Sequence, residues 1–121
     1  MVQVHISRPA EADLEHIFAV SLERWGEDGR ARYLALVKAA FHAIASDPKG
    51  PTTRDRSALL AGTRSLHLRH VPGDHRVRDP VHVIFYRAGR ASVEIVRVLH
   101  ERMDPGDHLP RPSSRRRARR R

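Results

Sequence analysis

The order of apolar and polar positions predicts a strand followed by an amphipathic helix at the start of the chain. Val2, Val4 and Ile6 alternate with polar residues, which is the period of a strand that is buried on one face. From residue 14 the spacing becomes that of a helix, and Gly26 is expected to end this helix. The stripe predicted to be buried consists of Leu14, Ile17, Phe18, Ser21, Leu22 and Trp25.

A second helix is predicted to begin at Glu27 or Asp28 and to end at Pro48. Because only a few residues separate the two helices, we expect them to be antiparallel neighbours. Leu34 and Leu36 lie off the main apolar stripe, and the pattern permits either a wider core face or an exposed apolar patch. The stripe itself consists of Tyr33, Val37, Ala40, Phe41 and Ile44.

The second half of the chain predicts three strands, at residues 64–71, 81–87 and 92–99. Residues 48–62 and the proline-bounded segment 72–80 read as loops. Short connections favour antiparallel pairing, so the order β-α-α-β-β-β predicts an α+β fold. In this fold a helical hairpin packs on a small antiparallel sheet.

The net charge of +9 is concentrated at the C-terminus, where the last eleven residues contain seven arginines. We therefore expect a nearly neutral folded domain at residues 1–109 and a disordered Arg-rich tail at 110–121. Two interpretations of the tail stay open: nonspecific contact with nucleic acid, or a dispensable extension that adds only charge.

Several kinds of site are not expected. The chain has no cysteine, which excludes disulfides, thiolate metal sites and cysteine nucleophiles. His67 and His70 are three residues apart, which on a strand would place them on opposite faces, so neither a metal site nor a cofactor is expected. With neither a signal peptide nor an apolar span visible, the expected location is the cytoplasm rather than a membrane.

Several stretches, taken in order, resemble the ParE branch of the RelE/ParE toxin superfamily over roughly residues 3–109. They are residues 12–17 (ADLEHI), 23–27 (ERWGE), 32–34 (RYL), 66–70 (LHLRH), 81–87 (VHVIFYR) and 94–104 (EIVRVLHERMD). The resemblance implies the toxin of a type II toxin–antitoxin pair, forming a hetero-oligomer with a ParD-like antitoxin and acting on DNA gyrase. RelE-like relatives are instead ribosome-dependent mRNA endonucleases, and fold alone does not separate these activities.

The residues favour binding over catalysis, so no catalytic residue is assigned. Cleavage of RNA needs converging groups that move protons and stabilise charge. Strand alternation separates Tyr86 from Arg87, and neither tyrosine nor lysine follows Leu99, where such nucleases often have a catalytic aromatic residue. Arg87 and Arg97 also have a purely structural interpretation, as charges at a sheet edge.

Two binding surfaces are predicted. The target-binding surface is basic and lies towards the C-terminus; its residues are Arg87, Arg97, His100, Arg102 and Met103. The antitoxin-binding surface is apolar and lies on the helical hairpin; its residues are Val20, Leu34 and Leu36. A gyrase inhibitor, an mRNA endonuclease and a plain nucleic-acid-binding module remain the three functional classes.

Overall fold

The computed structural model describes residues 2–110; the arginines of the predicted tail lie outside the described residues. Seven α-helices and β-strands follow one another along this part of the chain. They are β1 (Gln3–Ile6), α1 (Arg8–Ser46), β2 (Arg54–Asp55), β3 (Thr63–His67), β4 (His82–Ala88), β5 (Ser92–His100) and α2 (Pro105–His108). Within residues 2–110, α1 included, no helix is apolar enough over a sufficient length to cross a bilayer.

Helix α1 is divided at Gly26 into two arms, residues 8–25 and 27–46. Gly26 has φ 74° and ψ −172°, a backbone conformation that is essentially restricted to glycine. A straight helix of 39 residues would be about 58 Å long, yet Ala10 and Ile44 belong to the same hydrophobic core. The arms therefore form the predicted helical hairpin.

The predicted α+β class is confirmed, but the sheet differs in detail from the expectation. It has five strands in the order β1-β5-β4-β3-β2. Strand β1 pairs in parallel with β5, so the sheet is mixed rather than antiparallel. Short connections favour antiparallel pairing, but β1 has no short connection to another strand, because the whole helical hairpin follows it in the chain. The extra strand β2 lies in a segment predicted to be a loop.

The two faces of the sheet carry hydrophobic clusters of unequal size. The main core lies between the hairpin and the sheet, and includes Tyr33, Val37, Ile84 and Ile95. On the opposite face a smaller cluster contains Phe85, Val96, Leu99 and Leu109. Leu109 reaches this face because α2 turns the chain back after β5, with the Asp104 carboxylate accepting the Gly106 N–H at 2.9 Å.

Candidate functional site: a groove at the end of strand β5

A groove of about 730 Å³ lies between the two arms of α1, the segment before β4 and the end of β5. Both helical arms contribute to it, which requires the break at Gly26. Its lining is mainly apolar and includes Val20, Trp25, Tyr33, His82, His100 and Met103. Five arginines and four histidines also border it, and a concave, mainly apolar surface with convergent polar groups is typical of a binding site.

The floor of this groove depends on an unusual edge of β5. Strand β1 pairs with β5 only as far as Ile95, and polar side chains bond to β5 beyond that point. The Ser7 hydroxyl donates to the Val96 carbonyl at 2.8 Å. The Asp13 carboxylate accepts the Val98 N–H at 2.9 Å. Two side chains of the helical start thus satisfy backbone groups that a longer β1 would otherwise pair.

Arg97 forms an ion pair with the same carboxylate of Asp13. Two guanidinium nitrogens lie 2.8 Å from the two carboxylate oxygens, in a bidentate arrangement. The side chains of Arg97 and Asp13 are only 22% and 14% exposed. The hydrogen bonding that Arg97 donates to Asp13 raises the pKa of Arg97 above its ordinary value. Arg97 also donates to the His108 carbonyl at 2.9 Å, so it joins α1, β5 and α2.

A β-bulge in β5 accompanies this arrangement. Phe85 faces Arg97 and Tyr86 faces Ile95, which leaves Val96 as an extra residue in β5. Val96 packs in the smaller cluster, on the face of the sheet opposite the helical hairpin. The bulge therefore shifts the alternation of β5 immediately before Arg97.

Tyr33 and His82 form an uncharged polar pair in the groove. The Tyr33 hydroxyl lies 2.7 Å from His82 Nδ1. Burial raises the pKa of Tyr33 to about 12. Burial, followed by the nearby His100 and His67, lowers the pKa of His82 to about 4. At neutral pH, Tyr33 therefore keeps its proton and His82 is neutral, and the tautomer of His82 sets which of the two groups donates the hydrogen bond.

Trp25 contradicts the prediction of a fully buried helical stripe. It is 58% exposed at the end of the first arm, and its neighbour Leu22 is 41% exposed. Phe18 is only half-buried. These side chains lie on the predicted helical face, but the sheet covers only part of that face.

Comparison with known proteins identifies the class of molecule. Residues 4–105 match the family described as the ParE toxin of type II toxin–antitoxin systems, parDE. The chain is 38% identical to toxin ParE1 of Caulobacter vibrioides over 109 residues, covering 90% of this chain and 99% of that protein. It is 32% identical to toxin ParE1 of Mycobacterium tuberculosis, covering 86% and 94%.

The chain belongs to the ParE toxin family. A solved structure titled as a chromosomal ParDE system from P. aeruginosa supports the fold, with a TM-score of 0.61 and 18% identity. It covers 83% of this chain and 96% of that one. The protein is thus a ParE-type toxin of a ParDE toxin–antitoxin system, which implies an antitoxin partner.

In this ParE toxin the five residues of the predicted target-binding surface do not lie together. His100 and Met103 border the groove, and Arg102 is exposed between them in the chain. Arg97 also lines the groove, but its guanidinium is held by Asp13. Arg87 lies near the C-terminal end of β4, whereas the groove is at the N-terminal end of this strand, and it pairs with Glu94 at 2.9 Å. Neither Arg87 nor Arg97 is the free edge charge that the structural interpretation supposed, since β4 and β5 are interior strands.

The three residues predicted to bind antitoxin also differ in position. Val20 lines the groove and is half-buried. Leu34 is half-buried on the second arm. Leu36 is 3% exposed and belongs to the main core, so it presents almost no surface to a partner in this conformation. The antitoxin-binding role of these residues remains a prediction.

Sequence reasoning missed the residues that shape the groove. A carboxylate near the start of a helix, such as Asp13, is favourable there for local reasons alone, so its position gives no signal of a contact 84 residues away. His67 and His70 were expected on opposite faces of a strand. Their rings lie 6.3 Å apart because the chain leaves β3 at His67 and enters a 3-10 turn. Within residues 2–110, no group of three His, Asp or Glu side chains is placed to hold a metal ion.

Proposed function

We propose that this ParE-type toxin inhibits DNA gyrase by binding it through the end of β5. The proposed surface consists of His100, Arg102 and Met103. A ParD-like antitoxin neutralises the toxin by placing its C-terminal segment in the groove between the helical arms. Both proposed partners are cytoplasmic in bacteria, so the toxin is proposed to act in the cytoplasm.

The separation of three sheet residues considered for RNA cleavage, Tyr86, Arg87 and Arg97, is the observation that favours binding over catalysis. Tyr86 is buried, and its hydroxyl donates to the Pro48 carbonyl. Arg97 is engaged by Asp13, and Arg87 by Glu94. A nuclease site needs an acid, a base and a free cation around one phosphate. The dispersal of these candidates supports a toxin that acts by contact.

The turn after β5 has the features of a recognition surface. Met103 is 46% exposed, and the adjacent Arg102 is also exposed. Backbone bonds fix the turn: Glu101 N–H donates to the Val81 carbonyl at 2.7 Å, and Met103 N–H donates to the His100 carbonyl at 2.9 Å. An exposed arginine beside an exposed apolar side chain on a fixed turn is the kind of anchor that dominates binding energy at interfaces.

Purified toxin, gyrase and closed circular plasmid test the proposal. We expect linear plasmid to accumulate only when toxin and gyrase are both present. The Arg102→Ala variant should reduce this product strongly. Arg90→Ala removes the same charge from the exposed turn between β4 and β5 and should have no effect.

A translating extract provides the opposing outcome. Wild-type toxin should leave transcripts intact in this extract at concentrations that trap gyrase on DNA. Transcript cleavage with unaffected gyrase would instead assign the RelE-like endonuclease activity.

A further inference from the structure

A second, smaller groove lies on the face of the sheet opposite the helical hairpin, which we call the open face. It has a volume of about 240 Å³ and a mixed surface that is slightly more polar than apolar. Its lining includes Arg54, Arg56, Arg69, His67, His70 and Glu101. In the part of the chain that the structure describes, three arginines thus face a single carboxylate in this groove.

The arginines of this open-face groove are poorly neutralised. Within residues 2–110, neither Arg54 nor Arg56 has a carboxylate oxygen within 4.0 Å, and Arg69 reaches Glu101 only at 4.0 Å. Glu101 bonds more closely to His67, at 2.7 Å. The Arg56 guanidinium lies 5.8 Å from the centre of the Phe85 ring. Its buried Nε has no hydrogen-bond partner among the described residues.

The chain leaves the described structure on this same face. Leu109, 7% exposed, packs with Phe85 and Leu99 in the open-face cluster. The sequence then continues from Pro110 into eleven residues, of which seven are arginine. The groove and Leu109, which comes two residues before the first arginine of that segment, therefore share one side of the sheet.

We propose that the open-face groove binds the phosphodiester backbone of duplex DNA through Arg54, Arg56 and Arg69. Guanidinium groups match phosphate oxygens in bidentate geometry, and the exposed guanidinium groups of Arg54 and Arg69 have no close carboxylate among the described residues that would compete with a phosphate. The groove adjoins the end of β5, since His100 and Met103 border both. This inference rests on the proposed function in one respect: a toxin that binds gyrase on DNA meets duplex DNA beside its target.

The composition of the groove favours a nucleic-acid backbone over bases or an acidic peptide. The aromatic residue on its floor, Phe85, is 4% exposed and offers no stacking surface for bases. An acidic peptide anchored by apolar side chains would need an apolar groove, whereas slightly more than half of the surface of this groove is polar. Repeated phosphates instead need closely spaced cations and no apolar contact.

The test is fluorescence anisotropy of a labelled DNA duplex of about 20 base pairs, titrated with the full-length toxin at several salt concentrations. The Arg54→Ala/Arg69→Ala variant removes two exposed cations from the groove. Each lost phosphate contact lowers the slope of log affinity against log salt by about 1, so we expect a decrease of about 2. The control, Arg8→Ala/Arg90→Ala, removes the same charge from exposed positions elsewhere and should retain the wild-type slope.

Three results would overturn the inference. The groove variant and the control would weaken binding equally if the arginine-rich segment alone held DNA. If the groove served an acidic protein, the Arg54→Ala/Arg69→Ala variant would bind a polyglutamate peptide more weakly than the wild type but would bind the duplex equally well. Wild-type toxin would give no salt-dependent binding if the groove held no polyanion. The anisotropy assay contains no gyrase, so it tests the groove independently of the proposed function. Groove-dependent DNA binding by a toxin that leaves the gyrase reaction unaffected would refute only the proposed function.

Discussion

Replacing Asp13 with alanine should remove the ion pair and the backbone contact that join the end of β5 to the first helical arm. The change deletes two charge-assisted hydrogen bonds to Arg97 and the acceptor for the Val98 N–H. It also leaves a largely buried guanidinium without its counter-charge. Removing one partner of a buried ion pair costs about 3–5 kcal/mol. Because Arg97 retains 22% exposure, we expect about 3 kcal/mol.

Urea denaturation of the purified toxin measures this loss. With an m-value of roughly 1–3 kcal/mol per molar urea, a loss of about 3 kcal/mol lowers the midpoint by about 1–3 M. The matched control is Glu27→Ala, because Glu27 is 77% exposed in its pair with Arg30. An exposed pair of this kind contributes about 0.5 kcal/mol or less.

A double-mutant cycle shows whether the loss arises from the Asp13–Arg97 pair. The Asp13→Ala/Arg97→Ala variant should be more stable than the sum of the single changes predicts, by at least about 1 kcal/mol. An Asp13→Ala midpoint no lower than that of Glu27→Ala would refute the reasoning. Strictly additive effects would show that Arg97 is not held by Asp13.

Three further predictions concern the hairpin, the polar pair and the groove. Gly26→Ala should cost about 1–3 kcal/mol in urea denaturation because φ is 74° there, whereas Gly89→Ala, whose added Cβ would make ordinary contacts, should cost about 0.5 kcal/mol or less. The pKa of His82 is about 4 in the folded state, below the ordinary 6.5. The stability that neutral His82 contributes is therefore fully present above pH 6.5 and is lost as the pH falls towards 4. We expect His82→Gln to reduce the loss of unfolding free energy between pH 7 and pH 4 by about 2 kcal/mol, and an unchanged loss would contradict the assignment. Trp25 is the only tryptophan, so antitoxin binding in the groove should shift its fluorescence to shorter wavelength, and an unshifted spectrum at saturation would place the antitoxin elsewhere.

The local sequence pattern predicted which helices and strands form better than it predicted how much of each is buried in the tertiary structure. The break at Gly26 and the buried stripe on Tyr33 and Val37 follow from helical periodicity and the conformational range of glycine. Periodicity identifies the apolar face of a helix but not how far along the helix the sheet reaches. Trp25 therefore satisfies the pattern and is nevertheless exposed.

The candidate site was harder to predict because its central contacts join distant parts of the chain. Asp13 pairs with Arg97 across 84 residues, and a β-bulge at Val96 sets the position of that arginine. Neither feature has a local signal, since a bulge does not alter composition. Strand alternation separated Tyr86 from Arg87 correctly, because it acts between neighbours.

The affinity of the full-length toxin for purified gyrase, measured by isothermal titration calorimetry, tests the central proposal most directly. Wild-type toxin and Arg90→Ala should bind equally well. Arg102→Ala/Met103→Ala, which removes the exposed side chains of the turn after β5, should bind at least about tenfold more weakly, equivalent to about 1.4 kcal/mol. Equal affinity of all three proteins, or the absence of binding by the wild type, would contradict recognition of gyrase through the end of β5.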